Sequence, residues 1–251
     1  MSDLAGSDDA LAARLATDAG RLLLVVRTEQ AHADQASRKA VGDAAAHEFL
    51  TARLAEARPH DAVFSEEGND DLARLDASRV WIVDPLDGTR EFSEFRDDWA
   101  VHVALWQDGE LVAGAVALPA SDLTFATPDV PLAAASAGRL RLVVSRTRPP
   151  AWTTAVRQAL GADVVPMGSA GAKVMAVVRG VADVYLHAGG QYEWDSAAPV
   201  AVARAAGLHA SRLDGSPLRY NCRNPLLPDL VICRPELTDR VHQVVTACVL
   251  E

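Results

Sequence analysis

The stretch Trp81–Thr89, which reads WIVDPLDGT, decides the fold of this chain. Its first three residues are apolar and partly β-branched, which predicts a buried strand. Pro85 fixes its own φ and lacks a backbone N–H, so we predict that the strand ends there. Gly88 then allows a tight turn that brings the backbone close to a ligand. The stretch therefore predicts two carboxylates, a free carbonyl and a hydroxyl at the end of a strand.

This group of oxygen ligands is typical of a Mg²⁺ site, because Mg²⁺ prefers oxygen and keeps some of its own water. An ordinary Asp-Pro and Asp-Gly turn is the alternative interpretation. The pattern D-P-x-D-G-[ST] at Asp84–Thr89 is rare at average composition, so the sequence favours the metal site.

The composition predicts a folded chain with a large core, because 49% of its 251 residues are hydrophobic. The net charge is −10 and there is no run of Lys or Arg, which argues against partners such as nucleic acid or an acidic membrane. The longest apolar run, Leu22–Val26, is too short to span a bilayer, and the acidic N-terminus does not resemble a signal peptide. Cys222, Cys233 and Cys248 form no C-x-x-C pair, so we predict free thiols in a reducing cytoplasm.

Hydrophobic periodicity predicts that the first half, residues 1–130, is an α+β unit. This half also contains the Asp84–Thr89 stretch, where the oxygen ligands are expected. It predicts helices over Asp8–Glu29 and Asp43–Ala57, with a mobile polar linker at Ser37–Gly42 between them. Strands are predicted at Asp61–Phe64, at Trp99–Trp106 and at Glu110–Leu118, the last two joined by an Asp108-Gly109 hairpin turn. The result is a pair of helices on a largely antiparallel sheet.

Residues 138–251 are predicted to form a second, α/β half, and 127–138 to be the boundary between the halves. Strands and helices alternate here, which is typical of a layered arrangement. The predicted strands are Leu140–Val144, Asp163–Val165, Ala182–Leu186 and Leu230–Cys233. The predicted helices are Ala151–Leu160, Ser169–Arg179, Asp195–Ala206 and Glu236–Val249.

Acidic residues interrupt the chain at three places where a strand ends or a helix begins. They are Glu66, the pair Asp84 and Asp87, and Asp195 within Trp194–Pro199. Taken alone, Asp195 also fits an ordinary helix N-cap, and Glu66 fits a solvated surface acid. Their order around the central motif favours a functional role for these acids over the ordinary interpretations.

These motifs together resemble the inositol monophosphatase family of Mg²⁺-dependent, lithium-sensitive phosphatases. The resemblance covers essentially the whole chain and has three parts: the Glu-Glu pair after a strand, WIVDPLDGT and the downstream WDSAAP. It implies an α/β (α+β) fold, the layered αβαβα sandwich of the inositol monophosphatase and fructose-1,6-bisphosphatase type. It also implies two or three bound Mg²⁺ ions. Mn²⁺ would substitute for Mg²⁺, and Li⁺ would inhibit the enzyme. Homodimers are frequent in that family, so a homodimer is an expectation.

The resemblance also implies a role for each acidic position. Glu66, Asp84 and the carbonyl of Leu86 would hold a first metal ion. Asp84, Asp87 and Asp195 would hold a second. Thr89 and Glu66 would orient and activate the attacking water, and Asp43 would hydrogen-bond Thr89. The chain lacks the fuller family pattern around Asp43.

Residues around the motif resemble the 3′(2′),5′-bisphosphate nucleotidase branch of the family, known as CysQ. They are Arg90-Glu91-Phe92, Ser145-Arg146 and the loop Gly168–Lys173. The resemblance implies that the chain hydrolyses 3′-phosphoadenosine 5′-phosphate to AMP and phosphate, disposing of a by-product of sulfate assimilation. A second phosphate on the substrate could pair with Arg146 or Lys173. The expected substrate-binding residues are Asp87, Gly88, Thr89, Arg90, Ser145, Arg146, Gly168, Ser169, Lys173 and Asp195.

Three alternatives remain open at this point. The same fold could act on inositol-1-phosphate or fructose-1,6-bisphosphate. A phosphatase with an aspartate nucleophile needs D-x-D, whereas Asp84 and Asp87 are spaced D-x-x-D. A non-catalytic metal-binding protein would lack one of the key groups, and none is missing. His102, in an apolar strand, is interpreted as a core residue.

Overall fold

Two long helices, α1 (Asp8–Glu29) and α2 (Gln35–Ala57), cover one face of the first sheet in the computed structural model, which describes residues 6–134 and 138–250. Each helix begins at a side-chain cap. The hydroxyl of Ser7 accepts a hydrogen bond from the Ala10 N–H, and the carboxylate of Asp34 accepts one from the Ser37 N–H at 2.8 Å. These caps satisfy N–H groups that a helix start leaves without partners.

The predicted mobile linker at Ser37–Gly42 is wrong, because α2 already begins at Gln35. Arg38 explains the difference. Its side chain is buried and donates to the backbone carbonyls of Gln30, Ala31, Ala33 and Ser93. The hydrogen bonds of Arg38 therefore connect the start of α2 to other parts of the fold. The stretch around Arg38 nevertheless has the polar composition of a loop.

The first sheet contains the strands β1 (Ala62–Ser65), β2 (Arg79–Asp87), β3 (Ala100–Gln107), β4 (Glu110–Leu118) and β5 (Leu123–Ala126), in that order. The pair β1–β2 is parallel and the other neighbours are antiparallel, so the sheet is largely antiparallel, as predicted. The Asp108-Gly109 turn joins β3 to β4, which confirms the predicted hairpin. The sequence did not predict β5.

Strand β2 does not end at Pro85 as predicted but continues to Asp87. Its pairing with β3 shifts between Asp84, opposite His102, and Asp87, opposite Ala100. Two residues of β2, Pro85 and Leu86, therefore face one residue of β3, which is a β-bulge. A bulge tolerates a residue with no N–H, and it bends the strand so that both acids remain at its end. Gly88 follows with φ +90°, and the short helix α3 (Thr89–Ser93) begins there.

The second sheet has the strand order β7-β6-β8-β10-β9. Its strands are β6 (Arg141–Ser145), β7 (Asp163–Met167), β8 (Val184–Ala188), β9 (His209–Ser211) and β10 (Asp229–Cys233). The accompanying helices are α4 (Thr153–Leu160), α5 (Ala170–Val178), α6 (Glu193–Ala205) and α7 (Thr238–Val245). The last helix is shorter than predicted, because a 3₁₀ turn at Pro235–Leu237 precedes it and a π turn at Thr246–Leu250 follows it.

The elements stack in five layers. Helices α1 and α2 pack on the first sheet, α5 and α6 lie between the two sheets, and α4 and α7 cover the outer face of the second sheet. This confirms the predicted αβαβα sandwich. Strands of the first sheet all come from residues 62–126 and those of the second from 141–233, while the predicted boundary at 127–138 lies partly outside the described residues. Among the described helices, none combines the length and apolarity that crossing a bilayer requires.

Candidate active site

Four carboxylates from distant parts of the chain meet at the ends of β1, β2 and the first turn of α6. One carboxylate oxygen from each of Asp84, Asp87 and Asp195 lies within 4.8 Å of the others. The parallel pairing of β1 with β2 brings in Glu66, whose N–H donates to the carbonyl of Val83 at 3.3 Å. Although Glu66 is exposed as a residue, its carboxyl group hydrogen-bonds that of Asp84.

The negative charge of this group is not balanced by the protein. Burial, and then the carboxylates of Glu66, Asp87 and Asp195, raise the pKa of Asp84 well above its usual range. Burial and the Asp87 charge raise the pKa of Asp195 to about 7. For Glu66 the main cause is burial of the carboxyl group itself, although the residue as a whole is exposed, and it raises the pKa to about 7. An oxygen-only donor set with excess negative charge fits hard divalent cations such as Mg²⁺.

Asp87 is the exception within the cluster. Burial by itself raises its pKa, but the charge of the neighbouring His102 ring and the hydrogen bond from the Ser169 hydroxyl outweigh burial and lower the pKa to about 2. Its carboxylate also accepts the N–H groups of Ala170 at 3.0 Å and Gly171 at 2.6 Å, at the start of α5. His102 in the first half and the start of α5 in the second half therefore together hold Asp87 ionised and in a fixed orientation.

His102 is fully buried in β3, in agreement with its interpretation as a core residue, but it also contacts the acidic cluster. Its Nδ1 lies 3.1 Å from the carbonyl of Trp194, and its Nε2 lies 3.2 Å from Asp87 Oδ2. The ring thus links the residue before Asp195 to Asp87. The sequence analysis did not anticipate this contact, because the register between β2 and β3 creates it.

Asp43 reaches the cluster from α2. A Cβ on the preceding residue, Gly42, would lie 2.8 Å from Phe92 Cε1 and 3.1 Å from Leu86 Cδ2, so the glycine permits the close approach of the helix. The carboxyl of Asp43 hydrogen-bonds the hydroxyl of Thr89, and Thr89 Oγ1 lies 3.2 Å from the carbonyl oxygen of Leu86, the alternative acceptor for its proton. Burial and the Glu67 charge raise the pKa of Asp43 to about 7.

A cleft of about 460 Å³ opens beside the acidic cluster. Most of the expected substrate-binding residues line it: Asp87, Gly88, Thr89, Arg90, Ser145, Gly168, Ser169, Lys173 and Asp195. The opposite wall comes from the segments after β6 and β8. The sequence analysis missed several of its residues, among them Arg148, Tyr185 and Gln191.

Arg146 is the one expected substrate-binding residue that does not line the cleft. Its guanidinium donates to Asp98 Oδ2 at 2.5 Å and to Glu91 Oε1 at 2.7 Å. Arg148, two residues later, is exposed and faces the cleft instead. Strand β6 ends at Ser145, so residues beyond it cannot be assigned to a face by period-two alternation.

Lys173 lines the cleft, but backbone carbonyls hold its ammonium group. Its Nζ donates to the carbonyls of Gly168 at 2.9 Å and Ser169 at 2.7 Å. Burial lowers its pKa. The lysine therefore stabilises the loop before α5 and faces Asp87 from that position.

A buried polar network that the sequence analysis missed fixes the first turn of α6, which carries Asp195. The carboxylate of Glu193 accepts the N–H groups of Asn221 at 2.6 Å and Cys222 at 2.8 Å. The guanidinium of Arg74 donates to Asn221 Oδ1 at 2.6 Å and lies 3.9 Å from the centroid of the Phe64 ring. No local pattern reveals such a network, because Arg74 and Asn221 are 147 residues apart.

The indole of Trp194 packs edge-on against Phe64, with 5.2 Å between ring centroids, and stacks on Tyr192 at 4.9 Å. Asp195 Oδ2 accepts the N–H of Tyr192 at 2.7 Å. Packing of Trp194 and this hydrogen bond together fix the orientation of Asp195.

Comparisons with known proteins agree on one family. A model of the inositol monophosphatase family matches residues 7–249. The chain is 56% identical over 230 residues to a protein of Mycobacterium bovis named 3′-phosphoadenosine 5′-phosphate phosphatase, a match that covers 88% of this chain and 86% of that one. It is 32% identical over 197 residues to 3′(2′),5′-bisphosphate nucleotidase CysQ of Escherichia coli strain K12, covering 74% and 80% of the two chains.

Solved structures agree with these matches. The crystal structure of CysQ from Bacteroides thetaiotaomicron superimposes with a TM-score of 0.82 at 29% identity, over 92% of this chain and 99% of that one. The structure of Mycobacterium tuberculosis SuhB superimposes with a TM-score of 0.73 at 22% identity, over 96% of both chains, and shows the fold alone.

Proposed function

This chain belongs to the inositol monophosphatase family, and from that premise we propose that it is a Mg²⁺-dependent phosphatase that hydrolyses 3′-phosphoadenosine 5′-phosphate to AMP and phosphate. One observation carries the choice of substrate, namely the 56% identity over 230 residues to a protein named for this activity. The acidic cluster beside the cleft supports the class of reaction, because metal-assisted hydrolysis of a phosphate ester needs such a site.

The residues fit a pair of divalent cations. Glu66, Asp84 and the carbonyl of Leu86 would hold one ion, and Asp84, Asp87 and Asp195 the other. Bound Mg²⁺ supplies two effects, a lowered pKa for the attacking water and stabilisation of the oxygen that leaves. We expect Mn²⁺ to substitute and Li⁺ to inhibit.

Asp43 and Thr89 provide a route for a proton next to these ligands. The hydroxyl of Thr89 lies between the carbonyl of Leu86 and the carboxyl of Asp43. A carboxyl with a pKa of about 7 exchanges protons readily at neutral pH, which suits general acid–base work. We infer that Thr89 Oγ1 orients the attacking water and that Asp43 holds that hydroxyl in place.

Cations on the other side of the cleft match a second phosphate group. Arg148 and Arg90 both line the cleft and are exposed, while Lys173 is held by backbone carbonyls. Arg148 is the better candidate for the 5′-phosphate, because Arg90 already pairs with Glu94 at 2.9 Å. A guanidinium binds a phosphate through two parallel hydrogen bonds, which favours a bisphosphate over a monophosphate.

Phosphate release from purified protein tests the proposal. The panel contains 3′-phosphoadenosine 5′-phosphate, AMP, inositol-1-phosphate and fructose-1,6-bisphosphate, each with and without Mg²⁺. We expect the bisphosphate nucleotide to have the highest kcat/KM, and AMP to accumulate in equal amount to phosphate. A higher kcat/KM for inositol-1-phosphate would overturn the choice of substrate but leave the metal-dependent reaction in place.

The three cysteines of the chain are free thiols in the structure, and Cys233 is buried. Burial raises the pKa of Cys233 to about 11, so its thiol is unreactive at neutral pH. Free thiols fit the reducing cytoplasm that we propose for this enzyme.

A further inference from the structure

Asp98, which lies just before β3, joins the two halves of the chain. Its Oδ2 accepts a hydrogen bond from Arg146 Nη1 at 2.5 Å and another from the backbone N–H of Gly168 at 2.6 Å. Arg146 reaches back to the first half through Nη2, which lies 2.7 Å from Glu91 Oε1. We call Glu91, Asp98, Arg146 and Gly168 the clasp.

The clasp holds Gly168 from two sides. Asp98 fixes its N–H, and the side chain of Glu91 packs directly on its Cα, where a Cβ would overlap Glu91. The side chain of Glu91 is only 8% exposed, and the side chains of Asp98 and Arg146 are 18% and 23% exposed, respectively. Partly buried, charge-assisted hydrogen bonds with these short distances restrict movement more than solvated surface pairs do.

The residues after Gly168 are the ones that hold Asp87. Ser169 has a φ of +36°, an unfavourable value for a residue with a side chain, so its conformation depends on its surroundings. Its hydroxyl donates to Asp87 Oδ2 at 2.5 Å, and the N–H groups of Ala170 and Gly171 donate to the same carboxylate. A shift of Gly168 therefore changes the position of the donors that orient Asp87.

We propose that Asp98 is a positioning residue for the metal site, which acts through Gly168 and the Ser169–Gly171 donors to set the orientation of the Asp87 carboxylate. Arg146 serves this clasp and does not bind the substrate. The inference rests on the proposed role of Asp87 as a metal ligand. It assigns a function to Asp98, which no motif around the cluster identifies, and gives Arg146 a different role from the one that the sequence predicts.

Mn²⁺ binding without substrate gives a readout that is independent of activity. The metal-free protein is titrated with Mn²⁺ and free Mn²⁺ is followed by electron paramagnetic resonance, for the wild type, Asp98→Ala, Asp98→Asn and Asp97→Asn. Asp97 is exposed and adjacent, so Asp97→Asn is the matched control. We expect Asp98→Ala to weaken Mn²⁺ binding about 10-fold or more, in the range seen when groups that orient metal ligands are removed.

Asp98→Asn keeps an oxygen that accepts the Gly168 N–H but loses the ion pair, so we expect a weaker loss than in Asp98→Ala. Gly168→Ala, which displaces Glu91, should reproduce the effect with Asp98 intact. In activity assays at saturating substrate, the Mg²⁺ concentration for half-maximal rate should rise in parallel, while KM at saturating Mg²⁺ changes less.

Unchanged Mn²⁺ affinity in folded Asp98→Ala and Gly168→Ala would overturn the inference, as would a loss of the same size in Asp97→Asn. Arg146→Gln separates the clasp from direct substrate binding. A rise in KM with unchanged Mn²⁺ affinity would return Arg146 to the substrate site. If the wild type binds Mn²⁺ but hydrolyses none of the four phosphate esters, the proposed function fails while the Mn²⁺ titrations still decide the role of Asp98.

Discussion

The two sides of the cleft handle charge in opposite ways. On one side Glu66, Asp84 and Asp195 crowd together, and burial, followed by the neighbouring carboxylate charges, raises their pKa values. On the other side Lys173 is held by two carbonyls, and Arg146, which does not line the cleft, lies between two carboxylates. The difference teaches that the unpaired carboxylates need a bound cation, whereas the paired charges hold the residues of the site in position.

Removal of divalent cations is expected to have the largest effect on the acidic side. Dialysis against EDTA should reduce phosphate release to background, because the acids then repel each other and no cation activates water. Restoring Mg²⁺ at about 100 times its Kd should stabilise the protein by about 2.7 kcal/mol, measured as a rise in Tm. Full activity after EDTA treatment would contradict the metal site.

Asp84→Asn should separate activity from stability. We expect kcat/KM to fall by about 10³-fold, since both proposed ions lose a shared ligand, a loss of several kcal/mol in transition-state stabilisation. The metal-free variant should unfold at the same or a higher temperature than the wild type, because a buried acid crowded by like charges is removed. Asp129→Asn, at an exposed acid, is the control. A large fall in the Tm of metal-free Asp84→Asn would contradict this account of the charge.

Arg148→Ala tests the side of the cleft where other cations are already paired. Arg148 differs from them because it is exposed. We expect KM for 3′-phosphoadenosine 5′-phosphate to rise about 10-fold, the value of one or two charge-assisted hydrogen bonds. KM for inositol-1-phosphate, which lacks a second phosphate, should change little. Arg157→Ala removes an exposed arginine from α4 and should leave both values unchanged. Equal increases for both substrates would exclude Arg148 from recognition of the second phosphate.

His187, on the wall of the cleft, gives the smallest expected effect. Burial, and then the charges of Lys173 and Arg148, lower its pKa to about 4, although the hydrogen bond to the Gly189 carbonyl acts in the other direction. Below pH 6.5 the unfolded chain binds a proton at His187, whereas the folded chain binds it only at about pH 4. The free energy of unfolding therefore decreases as the pH falls through this range.

His187→Asn removes this titration. Urea unfolding at pH 7 and pH 4.5 should show a loss of stability that is about 2 kcal/mol smaller in the variant than in the wild type. His60→Asn, at an exposed histidine, should behave as the wild type does. Parallel curves for the wild type and His187→Asn would show that the ring is freely protonated in the fold.

The sequence predicted the fold where local rules decide it. The Asp108-Gly109 turn and the apolar runs beside it specify a hairpin by themselves, and α1 has a cap and a regular apolar stripe. Strands β5 and β9, with four and three residues, are too short for periodicity to reveal. The start of α2 was missed because Arg38 satisfies carbonyls in other parts of the chain.

What the sequence determined by itself was the chemistry of the reacting side, because WIVDPLDGT places two acids, a carbonyl and a hydroxyl within nine residues. Only the tertiary structure decided which cation faces the cleft, since Arg146 pairs with Asp98, 48 residues away, and leaves Arg148 exposed. It also decided the contact of His102 and the start of α5 with Asp87. The physical reason is that short-range rules fix which groups a segment displays, whereas burial and pairing depend on contacts between segments that the order of residues does not reveal.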